Sequence, residues 1–124
     1  MKIDSFTDIE AWKQARLFVV NVYNIFSQGN PQKDFGFRDQ IQRASVSIMS
    51  NIAEGFDSGS KKSFIQFLTY SYRSASEVES LLFVALDINY IDVNQHNELM
   101  SQLNSIKKLI GGFIRYLKNT QHPN

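Results

Sequence analysis

At 124 residues and 14.3 kDa the chain is long enough for one domain and short for two, and by size scaling it buries about two thirds of its unfolded surface without needing a disulfide or metal staple. Hydrophobic residues make up 43% of it, aromatics 13%, and there are two prolines and no cysteine; this excludes disordered and collagen-like chains, disulfide frameworks, thiol catalysis and cysteine-ligated zinc or iron–sulfur sites. Thirteen basic residues against twelve acidic ones leave a formal charge of +1, so net charge alone implies neither a nucleic-acid nor a membrane partner.

Met1-Lys2-Ile3-Asp4 is not followed by an apolar run of about 7–15 residues, so no secretory leader is expected. No stretch approaches the roughly 18 apolar residues of a membrane span. The cytoplasm is the expected compartment.

Four segments of helical periodicity follow, separated by three short breaks. In the first, Trp12, Ala15, Val19, Val22 and Phe26 fall on one helix face. Thr7 and Glu10 fit a capping box at its start, and Gly29-Asn30-Pro31 supplies its stop, which predicts a helix over about 8–28. The second carries Phe37, Ile41, Ala44, Ile48 and Ile52 on one face and is expected over about 36–54, stopping near Gly55 before the turn cluster Phe56-Asp57-Ser58-Gly59. Ser60 is a natural N-cap for the third, about 61–89, whose heptad runs Phe64, Leu68, Ser71, Ala75, Val78, Leu82, Ala85. Asp92, with Gln95 three residues on, caps the fourth, about 93–118, in which Leu99, Leu103, Ile106, Ile110, Phe113 and Leu117 alternate by four and three residues. Spacing near 3.5 residues selects shallow-angle packing, and short breaks make successive helices antiparallel. The expectation is an all-α, up-down-up-down four-helix bundle forming one domain over 1–124. Trp12, Val19, Ile41, Ile48, Leu68, Val78, Leu82, Leu103, Ile106 and Ile110 are expected inside.

Several apolar residues lie off these seams. Ile65, Tyr72 and Phe83 share one line on the third helix, and Phe18 and Ile25 another on the first. Either the core is wider than a two-position stripe, or a second apolar face meets another copy of the chain.

Catalytic chemistry has little to work with. His96 falls on the seam of the fourth helix near its first turn, His122 lies in the tail, and neither has a glutamate three residues before it, so the carboxylate–histidine motif of di-iron bundles is absent. Glu77 and Glu79 are two apart and point to different sides of a helix. No cofactor, metal or enzymatic activity is expected. Gly55-Phe56-Asp57-Ser58-Gly59-Ser60-Lys61-Lys62-Ser63 invites a phosphate-loop reading, but its glycines are four apart, serine stands where the lysine is needed, and a helix rather than a strand precedes it. What survives is a candidate anion site at a helix N-terminus, with Lys61 and Lys62 beside free backbone N–H groups; a capped turn with solvated lysines is the alternative. Lys107, Lys108, Arg115 and Lys118 cluster at the end of the fourth helix, where no acid follows Glu98. They either oppose the helix dipole or track phosphates. Gly111-Gly112 within that helix suggests close helix approach or a bend. A polar line on the second helix, Gln40, Arg43, Ser47, Ser50 and Glu54 with Asn51 beside it, faces either water or another helix.

Asp8-Ile9-Glu10-Ala11-Trp12-Lys13-Gln14-Ala15, the run Gln40 to Gly55 with Ser50-Asn51-Ile52-Ala53-Glu54-Gly55 as its most specific part, Gly59 to Leu68, and Gly112 to Lys118 together resemble the bacterial four-helix-bundle proteins encoded within intervening sequences of 23S ribosomal RNA genes, sometimes labelled ribosomal proteins. The likeness spans nearly the whole chain and departs at Met49, where the family usually has proline. The accessory variability protein of diversity-generating retroelements is similar to this family and works as a basic pentameric barrel with a reverse transcriptase and nucleic acid. The resemblance thus implies a non-enzymatic homo-oligomer, five copies favoured, that serves as an interaction scaffold with a protein partner or as an RNA- or DNA-binding module. Ile65, Tyr72, Phe83, Ser47, Ser50, Asn51 and Glu54 are the candidate interface. Lys61, Lys62, Lys107, Lys108, Arg115 and Lys118 are the candidate anion-binding set.

Overall fold

The structure, a computed structural model, describes residues 2–120; His122 lies outside them. Its first feature differs from the expected helix start. Ser5 and Asp8, rather than Thr7 and Glu10, form the capping box, on a single 3-10 turn over Phe6–Asp8: the Asp8 carboxylate accepts from the Ser5 N–H at 3.1 Å while Ser5 Oγ accepts from Thr7 N–H at 3.2 Å. Ile9 then takes an extended backbone (φ −77°, ψ 123°) and is buried. Pulling this side chain inward separates the turn from the helix and denies Thr7 the N-cap position.

Helix α1 therefore runs Glu10–Phe26 and buries Ala11, Ala15, Phe18, Val22 and Phe26. The expected face is turned by about 40° around the helix axis at 100° per residue. Ala15, Val22 and Phe26 are shared, but Phe18 is fully buried whereas Trp12 and Val19 are only partly so. Helix α1 packs between two neighbours, and its buried sector takes in Phe18 while leaving Trp12 and Val19 at its margin. Trp12 lies toward its flank, edge-on to Phe6 at 5.3 Å between centroids and beneath the Arg16 guanidinium.

The first break holds an element the periodicity does not reveal. Helix α1 stops at Phe26, Gly29 adopts φ +63°, which favours glycine, and Gly29–Lys33 forms the five-residue helix α2 with Pro31 buried in its first turn. Asp34 then caps α3, Phe35–Asp57. One carboxylate oxygen accepts from Phe37 N–H at 3.1 Å and the other from the Tyr90 hydroxyl at 2.7 Å, tying this corner to the link before the last helix. The Tyr90 bond, then the backbone bond, hold the Asp34 carboxyl below the usual carboxylate range, against a smaller opposing effect of burial. A depressed carboxylate stabilises the fold above its unfolded value, and that stabilisation is lost as pH falls through the folded one. Asp34→Asn keeps a capping side chain, so thermal unfolding between pH 7 and 3 should show a shallower acid loss in the variant than in the parent; parallel curves would contradict this.

Helix α3 passes the expected stop at Gly55 and ends three residues beyond position 54, because the turn needs the left-handed backbone that Gly59 supplies (φ +89°). Gly55 instead marks a close approach of α3 to α4. A Cβ there would lie 2.8 Å from Phe67 Cβ and 2.9 Å from Phe64 Cδ1. Helix α4, Lys61–Asp87, begins at the expected Ser60 cap and ends two residues before the expected limit, where Asn89 (φ 62°) terminates it: Tyr90 N–H bonds Ala85 O and Asn89 N–H bonds Leu86 O. Helix α5, Val93–Lys118, carries the expected Asp92–Gln95 capping box.

Helix α1 packs on α3 and α5, and α4 packs on the same two; among the described residues the pairs α1–α4 and α3–α5 do not approach within 8 Å between Cα atoms. Four long antiparallel helices thus occupy the corners of a square around one core, as the periodicity predicts, with no strand among the described residues. Aromatic clusters close both ends, Phe26–Phe37–Tyr90 at one and Phe56–Phe64–Phe113 at the other. Inside, Ser71 Oγ donates to Ile48 O at 2.7 Å across α3–α4, so this polar heptad position carries no desolvation penalty.

Candidate functional site

Because α4 and α5 are neighbours, the two residue sets that the sequence singles out on these helices meet on one face. Tyr72 stands in the groove between them. It lines two adjoining hollows, one with Asn104, Lys107, Lys108, Gly111 and Arg115, the other with Thr69, Arg73, Ile114, Arg115 and Lys118. Lys107 Nζ lies 5.0 Å from the Tyr72 ring centroid, over its face, and donates to Glu79 Oε1 at 2.7 Å. That lysine is thus paired within the chain. Lys108, Arg115, Lys118 and Arg73 form no ion pair among the described residues.

The glycine pair beneath this groove does not bring a helix close. A Cβ at Gly111 would meet Arg115 Nη1 at 3.5 Å and Tyr72 Cε2 at 4.0 Å, and one at Gly112 only Arg115 Nη2 at 3.8 Å. The missing side chains leave a saddle over which the Arg115 guanidinium folds back beside the tyrosine. Sequence reasoning misses Arg73 in this set, since its membership depends on how α4 and α5 are aligned along their length and no periodicity within α4 reports that.

Lys61 and Lys62 are set apart from that groove's centre. Lys61 Nζ donates to Thr120 Oγ1 at 3.0 Å and to Thr120 O at 3.3 Å, clasping the end of α5, and Ser63 N–H is taken by the Ser60 cap at 3.1 Å. Lys62 is exposed. The structure therefore spends much of this helix start on its own capping.

The candidate interface residues also separate. Ser47 Oγ hydrogen-bonds Ser74 Oγ at 2.9 Å, and Asn51 Nδ2 donates to Ser47 O and Oγ at 2.8 and 3.0 Å, so these two serve the α3–α4 contact of the same chain. Ser50 returns its hydroxyl to Val46 O, and Glu54 faces solvent. Ile65 is partly buried; Tyr72 and Phe83 remain 38% and 49% exposed. Phe83 covers the His96 ring at 4.9 Å between centroids, and His96 Nε2, buried, has no hydrogen-bond partner. Phe18, the other off-seam aromatic, belongs to the core.

The sequence does not single out the outward faces of two diagonal corners. On α1, Val20 is 52% exposed beside Tyr23, which shares a shallow hollow with Val46 and Arg43 of α3. On α4, Val84 and Ile88 are open to solvent next to Phe83, Ile88 being 45% exposed. No three or more His, Cys, Asp or Glu residues among those described are placed to hold a metal ion, and no helix of the described chain is long and apolar enough to cross a membrane.

Fold and surface together define an antiparallel helical-bundle protein with outward apolar corners and a basic groove. Residues 7–112 match the family described as 23S rRNA-intervening sequence protein, and the chain belongs to that family. A solved structure from Bacteroides thetaiotaomicron, described as a protein of unknown function from the S23 ribosomal protein family, is 28% identical, with a TM-score of 0.79 over 85% of this chain and 95% of that one. No curated protein matches.

Proposed function

We propose that the protein is a non-enzymatic interaction protein, a closed homo-oligomeric scaffold with five copies favoured. The observation that carries this reading is that helices at diagonal corners each expose neighbouring apolar side chains, Val20 and Tyr23 on α1 and Val84 and Ile88 on α4. Helices α1 and α4 stand at diagonal corners, each packed on α3 and α5, so their outward faces point away from each other. Two different apolar surfaces facing apart permit head-to-tail contacts, which close into a ring where the rotation between copies allows it. The number five follows the resemblance to the retroelement accessory protein. The non-enzymatic part of the reading rests on where two titratable groups stand: Glu79 is paired with Lys107, and the His96 ring is enclosed against Phe83.

Head-to-tail assembly has a signature that two-fold pairing lacks. Val20→Glu spoils one patch and Val84→Glu the other, so each variant alone should run as a 14.3 kDa monomer in light scattering. An equimolar mixture keeps one intact contact and should give dimers. Monomers persisting in the mixture would show that these two corners do not meet.

A further inference from the structure

The basic groove is not absorbed by that scaffold role. We propose that the α4–α5 groove around Tyr72 is a binding site for single-stranded polynucleotide, its phosphates held by Lys108, Arg115 and Lys118 and one base stacked on the face of the Tyr72 ring opposite Lys107. The inference stands on the geometry of one chain and does not rest on assembly.

Three observations carry it. The first is charge: among the described residues, the linings of the two hollows hold Arg73, Lys107, Lys108, Arg115 and Lys118 and no acid. Only Lys107 is offset, by Glu79. The second is the aromatic. Tyr72 is 38% exposed in the middle of the cations, its orientation set by Lys107 over the ring and by the open backbone of Gly111 at its edge. A cationic groove with a flat ring at its centre is how single strands are bound without base readout. An acidic polypeptide would use the charges and leave the ring idle. The third is length. Lys108 to Lys118 spans about 15 Å of helix at 1.5 Å per residue, the reach of a short run of nucleotides. The groups divide by role: Lys108, Arg115 and Lys118 neutralise phosphates, while Lys107, already paired, is a positioning residue for Tyr72.

Fluorescence anisotropy of labelled twelve-nucleotide oligouridylate and oligothymidylate, titrated with the full chain between 50 and 200 mM salt, tests this. Binding should weaken with salt, and Lys108→Gln combined with Arg115→Gln should flatten the log–log salt slope by about 0.7 for each charge removed. Lys107→Gln should leave that slope unchanged. Tyr72→Leu should weaken binding about tenfold and Tyr72→Phe should restore it; helical circular dichroism is recorded for each, and should Tyr72→Leu unfold, the exposed Lys108 and Arg115 variants decide. Preference between the two oligomers identifies the sugar. No binding of either at 50 mM salt overturns the proposal, and so does displacement by polyglutamate at equal charge concentration with Tyr72→Leu indistinguishable from the parent. Mass measured in the same buffer keeps the two readings apart: a monomer that binds overturns the scaffold alone, and an oligomer that does not bind overturns this site alone.

Discussion

Phe18→Ala should destabilise the protein by about 3–5 kcal/mol, the largest loss expected of any single truncation considered. Phe18 is fully buried on α1, the helix that packs against both α3 and α5. Removing its ring leaves a cavity that a bundle packed on both sides cannot collapse to fill. Val19, one residue on, is only partly buried, and Val19→Ala should cost about 1 kcal/mol for the methyl area lost. Urea unfolding with a common slope separates the two. A larger loss at Val19 than at Phe18 would return the seam to the face that heptad spacing alone selects.

Gly55→Ala is the second large effect, and its sign is the informative part. In a helix interior, replacing glycine with alanine ordinarily gains about 1 kcal/mol. At Gly55 the new methyl would sit 2.8 Å from Phe67 Cβ, an atom fixed to the α4 backbone. No rotamer change of Phe67 removes that contact, so α3 and α4 must separate, and overpacking of this kind costs about 1–3 kcal/mol. The net outcome is destabilisation. Gly112→Ala is the control, because the nearest heavy atom is the mobile end of Arg115 at 3.8 Å; it should stabilise by up to about 1 kcal/mol. Thermal unfolding of both reads the contrast. Stabilisation by Gly55→Ala would mean that the helices do not approach as closely as described.

These residues also show which parts of the molecule can be read from sequence. Ser60 and Asp92 are legible as caps because capping is settled within four residues of chain, and the structure keeps both. The α3, α4 and α5 seams are legible because one register satisfies each pattern: Ile41, Ile48, Leu68, Val78, Leu82, Leu103, Ile106 and Ile110 are all buried. On α1, apolar residues fit two registers, and only contact with both α3 and α5 decides between them. Gly55 reads as a stop for the same reason: whether a glycine ends a helix or admits a neighbour depends on Phe67, which no local pattern connects to it. The groove is harder still. Lys107 and Glu79 are 28 residues apart, and their pairing, like the placing of Arg73 and Lys118 around Tyr72, follows from the alignment of α4 along α5. Sequence finds the cations and the tyrosine but assigns them to separate roles.

Self-association is the claim on which the functional account turns, and the mass of the unmodified chain in solution tests it most directly. Light scattering coupled to size-exclusion chromatography at micromolar concentration should give a single species several times 14.3 kDa, with five copies favoured and no further growth in mass as concentration rises, as a closed ring requires. A mass of 14.3 kDa would contradict self-association, and a stable dimer would contradict the head-to-tail contact between the α1 and α4 corners.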